Sequence, residues 1–364
     1  MTKPQSKIEK LIAEPCPNGV EFKKLGEVCK IETGKLNANA AVDDGEYMFF
    51  TTAKEPSRID RFRWDTEALL IAGNANVGEI KHYIGKFEAY QRTYVLTNFS
   101  KGVDVRFLFF SLSDNFKKYL ENHTNSAAMT YIVLSTLQDF KIPLPPLAIQ
   151  EKIVKILNSF TELEAELEAE LEARKKQYEY YRKDLMLSNN DGVWKTLGDI
   201  YDFQYGEGNT IPNTGGKYPV YGGNRLAGQH DQYNSEDAPV IGHIGAYAGI
   251  VNWVNGKHFV TYNGVICKIK VNINPRFGYY LLLLQDFRSQ AHAGSQPFIS
   301  YDILKKAPVQ IPDLSHQNSI VDMLDKFEAL VNDISIGLPA ELSARRQQYE
   351  YYRGKLLTFK EYAK

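Results

Sequence analysis

The sequence predicts an α+β protein: two mixed domains, mostly strand with helices, joined by two long antiparallel helices in a pseudo-twofold tandem repeat. Three observations lead there. The 364-residue chain is written twice, each copy ends in a long amphipathic helix, and the block before each helix breaks into short apolar runs.

The repeat is the first element to justify, because a missed repeat misreads a whole fold. Phe22-Lys-Lys-Leu-Gly-Glu-Val28 returns as Trp194-Lys-Thr-Leu-Gly-Asp-Ile200, and the same offset holds at Gly34 and Gly206. Ala173-Arg-Lys-Lys-Gln-Tyr-Glu-Tyr-Tyr-Arg182 returns as Ala344-Arg-Arg-Gln-Gln-Tyr-Glu-Tyr-Tyr-Arg353, with eight of ten positions identical. Between those ends, Pro145-Pro-Leu-Ala-Ile-Gln150 answers Pro312-Asp-Leu-Ser-His-Gln317.

The helices follow from spacing. Apolar or tyrosine residues fall at Ile153, Leu157, Phe160, Leu163, Leu167, Leu171, Tyr178, Tyr181 and Leu185. Steps of three, four and seven keep them on one helical face. The second copy repeats the stripe at Ile320, Leu324, Phe327, Val331, Ile334, Leu338, Leu342, Tyr349, Tyr352 and Leu356. Gly337 and Pro339 are expected to kink or break it, since proline removes a backbone donor and clashes with the preceding turn. Two such stripes in one chain predict an antiparallel pair.

Before the helices, runs 47–52, 68–72 and 92–97 answer 218–221, 238–244 and 259–269. Bounded by Gly, Asn and Asp, they read as strands joined by turns. A helix is expected near 105–121 and again near 276–290. The boundaries are then an N-terminal segment 1–18, a first mixed domain 19–146, a first repeat helix 147–188, a second domain 189–313 and a second repeat helix 314–364.

Composition narrows the function classes. Hydrophobic residues are 43% and charged residues 24%, as in a globular protein. Met1 to Lys10 holds three lysines and no apolar core, unlike a signal peptide, and no apolar run spans a membrane. Three cysteines show neither a disulfide framework nor ligand spacing, which suits a reducing cytoplasm. Net charge is −1, and residues 192–310 hold ten Lys/Arg against eight Asp/Glu. That is no basic surface of the kind phosphate-led DNA binding requires.

No stretch carries a catalytic motif, so no catalytic residue, metal or cofactor is assigned. Gly73-Asn-Ala-Asn-Val-Gly78 has the glycine spacing of a phosphate loop, but Glu79 stands where its lysine belongs, leaving a turn between strands. The seven histidines show no ligand spacing. Asn274-Pro275-Arg276-Phe277 lacks the second proline of the adenine-methyltransferase signature, and no glycine-rich cofactor loop accompanies it.

Two mixed blocks, each followed by a helix carrying Gln-Tyr-Glu-Tyr-Tyr-Arg (177–182 and 348–353), resemble the specificity subunits of type I restriction–modification systems. Ile142-Pro-Leu-Pro-Pro-Leu147 leading to Gln150 is a further mark, as are Tyr218-Pro-Val-Tyr-Gly-Gly-Asn224 and Ile241-Gly-His-Ile-Gly-Ala-Tyr-Ala-Gly249. The first block departs from the pattern, with Phe49-Phe-Thr-Thr52 in place of Val-Tyr-Gly-Gly.

The resemblance implies that each mixed block is a target-recognition domain reading one half of a split site in double-stranded DNA. The helix pair would be a ruler. A helix of about 36 residues spans about 54 Å, comparable to ~16 base pairs. Glu-Leu-Glu-Ala, written three times from 162 to 173, resembles the family's length-variable repeat. Methyltransferase subunits would be partners and supply phosphate contacts, a restriction subunit is a further candidate partner, and this chain would not be an enzyme. Base edges would be read by Asn74, Asn76, Gln91 and Arg92 in the first domain. In the second the candidates are Asn224, Arg225, His243, Tyr247, Asn263, Ser295 and Gln296. Asn and Gln pair bidentately with adenine, and Arg with guanine. Gly245, Gly249 and Gly294 read as turn formers. For Tyr178, Tyr181, Tyr349 and Tyr352 the first reading is packing between helices and the second is partner-subunit binding. The main rival is a coiled-coil adaptor that binds only proteins; an enzyme acting alone on nucleic acid is the weaker one.

Overall fold

A computed structural model describes residues 15–123, 131–188, 192–208, 215–223, 226–332 and 337–362. The chain divides into two units: Met1–Leu167 with Leu342–Lys364, and Glu168–Glu341.

Unit 1 begins with β1 (Glu21–Lys24), α1 (Leu25–Val28) and β2 (Lys30–Thr33), then β3 (Tyr47–Phe50), β4 (Ser57–Ile59), β5 (Trp64–Ala72), β6 (Ile80–Ala89) and β7 (Thr93–Thr97). Next come α2 (Val105–His123), α3 (Leu134–Asp139), β8 (Lys141–Leu144) and the first part of α4 (Leu147–Leu187). Six strands form one sheet in the order β2-β7-β5-β6-β3-β4, and β1 pairs with β8. Central β5 ends in an unbroken apolar run, Ala68 to Ala72, all of it buried. α2 presents Leu108, Leu112, Phe116 and Leu120 at four-residue spacing to Leu69, Ile71 and Leu96 of the sheet.

Unit 2 repeats this design. It holds β9 (Val193–Thr196), α5 (Leu197–Ile200), β10 (Tyr201–Tyr205), β11 (Tyr218–Tyr221), β12 (Leu226–His230), β13 (Ser235–Gly242), β14 (Val251–Val260) and β15 (Gly264–Ile269). After them come α6 (Pro275–Leu284), α7 (Phe287–Gln290), α8 (Tyr301–Lys306), β16 (Pro308–Ile311), α9 (Leu314–Asn332) and the start of α10 (Gly337–Leu356). Its sheet order, β10-β15-β13-β14-β11-β12, matches unit 1 strand for strand, and β9 pairs with β16 as β1 does with β8. The α+β fold with two tandem, mainly β domains and a long connecting helix is thus as the sequence predicts.

Three details differ from the sequence reading. The apolar run 259–269 is not one strand: β14 ends at Val260, the chain turns with Gly264 N–H on Thr261 O (2.9 Å), and β15 begins. Both strands are fully buried there, so no polar alternation marks the turn. β6 escaped notice because most of its residues are polar or part-exposed. And α4, at 41 residues, fills the expected helix 147–188 almost completely and exceeds the ~36 residues taken for the ruler, because it starts directly after Pro145-Pro146 and continues through the Glu-Leu-Glu-Ala tract.

The break expected at Gly337 and Pro339 falls where α10 begins: α9 ends at Asn332, α10 starts at Gly337, and residues 333–336 lie outside the described residues. Gly337 has φ +72°, which a right-handed helix does not allow. Pro339 sits in the first turn of α10, where the missing N–H would have no intrahelical partner anyway.

Within unit 1, α4 and α10 run antiparallel. Phe160 faces Tyr349 and Tyr352, Glu164 meets Arg346 Nε at 2.6 Å, and Leu157 shares a cluster with Leu356. Ascending numbers on one helix meet descending numbers on the other. In unit 2, α4 contributes Leu171, Tyr178, Leu185 and Met186 to a core with Ile320, Leu324, Phe327 and Val331 of α9. The last described residues close unit 1: Val20 N–H donates to Lys360 O (2.8 Å), and Tyr362 N–H donates to Val20 O (3.1 Å).

Candidate nucleic-acid interface

In each unit a buried glutamine near the start of the repeat helix ties it to the segment that leads into a domain helix. Gln150, fully buried, accepts the Asp104 N–H at 2.9 Å and donates to Gly102 O (2.9 Å) and Pro145 O (2.8 Å). Gln317 does the same work in unit 2, accepting from Asn274 N–H and donating to Pro312 O, both at 2.8 Å. Asn274 in turn caps α6, its Oδ1 accepting from the Arg276 and Phe277 amides. The Asn-Pro-Arg-Phe segment is therefore a helix cap.

Arg276 then ties α6 to α9. Its guanidinium reaches Asp325 at 2.7 Å and Glu328 at 2.6 Å, and lies over the rings of Trp253, Tyr279 and Tyr280. In unit 1, Arg106 is placed the same way, donating to Asn158 at 3.2 Å over Phe109 and Phe110. These joints tie each domain helix to a repeat helix.

In unit 1 the loop after β5 carries Asn74 and Asn76. Gly73 is required here: an added Cβ would lie 2.5 Å from Arg92 O, which already accepts the Gly73 N–H at 2.8 Å. That close approach brings Asn74 together with the turn bearing Gln91 and Arg92, both exposed. Gln91 Nε2 donates to Asn37 Oδ1 at 2.9 Å. Asn76 faces another way, its amide donating to Thr52 O at 2.7 Å and bracing the loop. The Gly73–Gly78 segment is the turn between β5 and β6, with Ala75 at φ +55° and Gly78 at φ +80°.

In unit 2 a cleft of about 500 Å³ is lined by Gly223, Ile244, Tyr247, Tyr262, Asn263 and Gln296, among others. It gathers three of the predicted readers, Tyr247, Asn263 and Gln296, with exposed Ser295 next in the chain. Gly242 allows it to form, since a Cβ there would sit 2.1 Å from Tyr247 O and 2.4 Å from Gly223 O. His243 is 7% exposed and lies beneath, its ring 4.2 Å from Tyr205 and 5.4 Å from Tyr262. Burial pushes its pKa down, so the ring supports the floor as a neutral group. Gly245 and Gly249 have φ of +87° and +79°, as turn formers should. Asn224 and Arg225 lie outside the described residues. The sequence reading passed over Tyr262, 45% exposed in the cleft, because it was counted inside the run 259–269.

The tyrosines divide by position. Tyr178 is buried, Tyr181 stacks on Phe327, and Tyr349 and Tyr352 stand on Phe160. Outward-facing tyrosines on the same helices are Tyr180 (66% exposed) and Tyr351 (57%). Among the described residues no group of three His, Cys, Asp or Glu could hold a metal, and no helix is long and apolar enough to cross a membrane.

Two copies of one sheet-and-helix unit, each offering a polar loop edge, define a protein with paired recognition surfaces. The family described as type I restriction modification DNA specificity domain matches twice, over residues 17–173 and 191–344. The EcoprrI specificity subunit of Escherichia coli is 30% identical over 295 residues, 74% of this chain and 73% of that one. A putative type I restriction enzyme specificity subunit of Haemophilus influenzae is 30% identical over 377 residues, 93% of this chain and 96% of its own. Among solved structures, a type I S subunit from M. genitalium aligns at TM-score 0.59 and 18% identity, over 93% of this chain and 96% of that chain. A chain from work on complex assembly in the type I R-M system aligns at TM-score 0.62 and 16% identity, over 94% and 98%. The chain belongs to the type I restriction–modification DNA specificity family, and the coiled-coil adaptor reading is set aside.

Proposed function

We propose that this chain is the non-catalytic, sequence-reading subunit of a type I restriction–modification enzyme, working in the cytoplasm. Its recognition domains, 19–146 and 189–313, each read one half of a bipartite site in double-stranded DNA. The repeat helices, 147–188 and 314–364, set the spacer and dock the methyltransferase subunits, which supply catalysis and phosphate contacts; a restriction subunit completes a nuclease assembly. The observation that carries this reading is the duplicated strand order with a polar loop edge in each copy. Base-edge readout needs polar and aromatic side chains more than net charge, which accommodates a chain of net charge −1.

Asn74, Gln91 and Arg92 serve unit 1, and Tyr247, Asn263, Ser295 and Gln296, with Asn224 and Arg225, serve unit 2. Asn76 and His243 support those readers from behind. For the partner subunits, exposed Tyr180 and Tyr351 are the main contacts, with the part-exposed faces of Tyr181, Tyr349 and Tyr352 beside them, while buried Tyr178 serves helix packing. The test is modification mapping: the chain is co-expressed with its methyltransferase subunit and the host DNA is sequenced for methyladenine. A split motif with a fixed gap is expected; no new methylation from a stable complex would reject the reading.

A further inference from the structure

Tyr131 and Phe298 occupy the same place in the two units. In unit 1 the backbone of Tyr131 bridges Asn74, and Ile132 N–H donates to Gly73 O at 2.8 Å. Unit 2 repeats the device: Phe298 bridges Ile244, and Ile299 N–H donates to His243 O at 2.9 Å. Both isoleucines point inward, 4% and 0% exposed, so extended geometry sends the preceding ring outward. Tyr131 is 55% exposed and Phe298 41%. Neither lies on a repeat helix.

The backbone beside each ring is braced. Tyr94 Oη donates to Ile132 O at 2.8 Å, while Gly245 N–H donates to Pro297 O at 2.7 Å and Phe298 stacks on His292 at 4.6 Å. A large exposed aromatic on a braced backbone loses little entropy on binding. Each stands beside the loop that carries its unit's candidate readers: Asn74 with Arg92 in one, Tyr247 with Gln296 in the other.

We propose that Tyr131 and Phe298 are paired aromatic wedges that press on a base step of each DNA half-site and partly unstack it. The proposal rests on the half-site reading above and deepens it. It assigns part of the specificity to how easily a step deforms, a property the polar readers do not sense. The occupant is duplex DNA because the device occurs once per recognition domain, continuous with that domain's polar loop edge.

The test uses the assembled methyltransferase and the bipartite duplex found by modification mapping, with 2-aminopurine placed in turn along both half-sites. Wild type should raise the probe's fluorescence at one step in each half-site. Tyr131→Ala should abolish the rise in one half-site only, and Phe298→Ala in the other, each weakening binding about tenfold. Tyr131→Phe and Phe298→Tyr should restore both signals, while unchanged melting temperatures show that the exposed substitutions leave the fold intact. Flat fluorescence in a wild-type complex that still prefers its duplex over a scrambled one would overturn the wedge alone. So would alanine variants with wild-type fluorescence and affinity. A wild-type complex without that preference would overturn the half-site reading and the wedge with it.

Discussion

Phe160 and Tyr352 stand ring against ring in unit 1, centroids 5.8 Å apart and planes inclined by 30°. Unit 2 contains the corresponding pair, Phe327 on Tyr181, also at 5.8 Å and inclined by 18°. Each joins the early part of one repeat helix to the Gln-Tyr-Glu-Tyr-Tyr-Arg segment of the other. The repeated tyrosines are thus spent, in part, on holding helices together.

Tyr352→Ala and Tyr181→Ala should each lower the stability of their own unit by about 2 kcal/mol, the lost area plus the ring–ring preference. Tyr352→Phe should be close to neutral because the ring remains. Urea unfolding followed by tyrosine fluorescence would measure both.

Gln150→Ala should cost about 3 kcal/mol. It removes one acceptor and a two-pronged donor, leaving the Asp104 amide and the Gly102 and Pro145 carbonyls unpaired in the interior. Gln317→Ala should cost less, since it breaks two bonds rather than three: one accepted from Asn274 and one donated to Pro312. Comparing the two variants by denaturant midpoint checks the order.

Unit 2 should weaken in acid through His243 and His258. Burial depresses both imidazoles below their ordinary value of 6.5. A depressed histidine favours the neutral folded form, so this contribution is complete above pH 6.5 and is lost as pH falls through the folded-state value. Melting temperature should drop between pH 7 and pH 5, and the double variant H243Q/H258Q should flatten that slope.

Deleting Glu166–Ala169, one Glu-Leu-Glu-Ala unit, should shorten α4 by about 6 Å. The methylated motif should keep both half-sites and lose spacer length. An unchanged spacer would remove the ruler from the proposed function.

Arg92→Ala should relax only the half-site read by unit 1, and Asn263→Ala only that read by unit 2, each by about tenfold in discrimination. Methylation maps of the two variants would show one altered half-site apiece. Relaxation of both half-sites by one substitution would contradict separate readers.

The sequence by itself determined the duplication, the two apolar helix stripes and the mixed blocks before them. Those are local properties, carried by residue identity and by periods of about 3.6 and 2. It also marked Gly73–Gly78 as a turn between strands, because closely spaced glycines favour turns.

Only the tertiary structure decided what covers each stripe. Periodicity shows that Phe160 and Leu157 lie on an apolar face, but not that Leu342–Lys364 from the far end of the chain completes their unit. It likewise decided which polar residues face outward. Gln91 and Arg92 stand exposed on their turn, whereas Asn76, two positions from Asn74 and the same amino acid, turns inward to brace Thr52 and the Asn74 Oδ1 is buried. A side chain's direction depends on backbone angles and on neighbours distant in sequence, and residue type encodes neither.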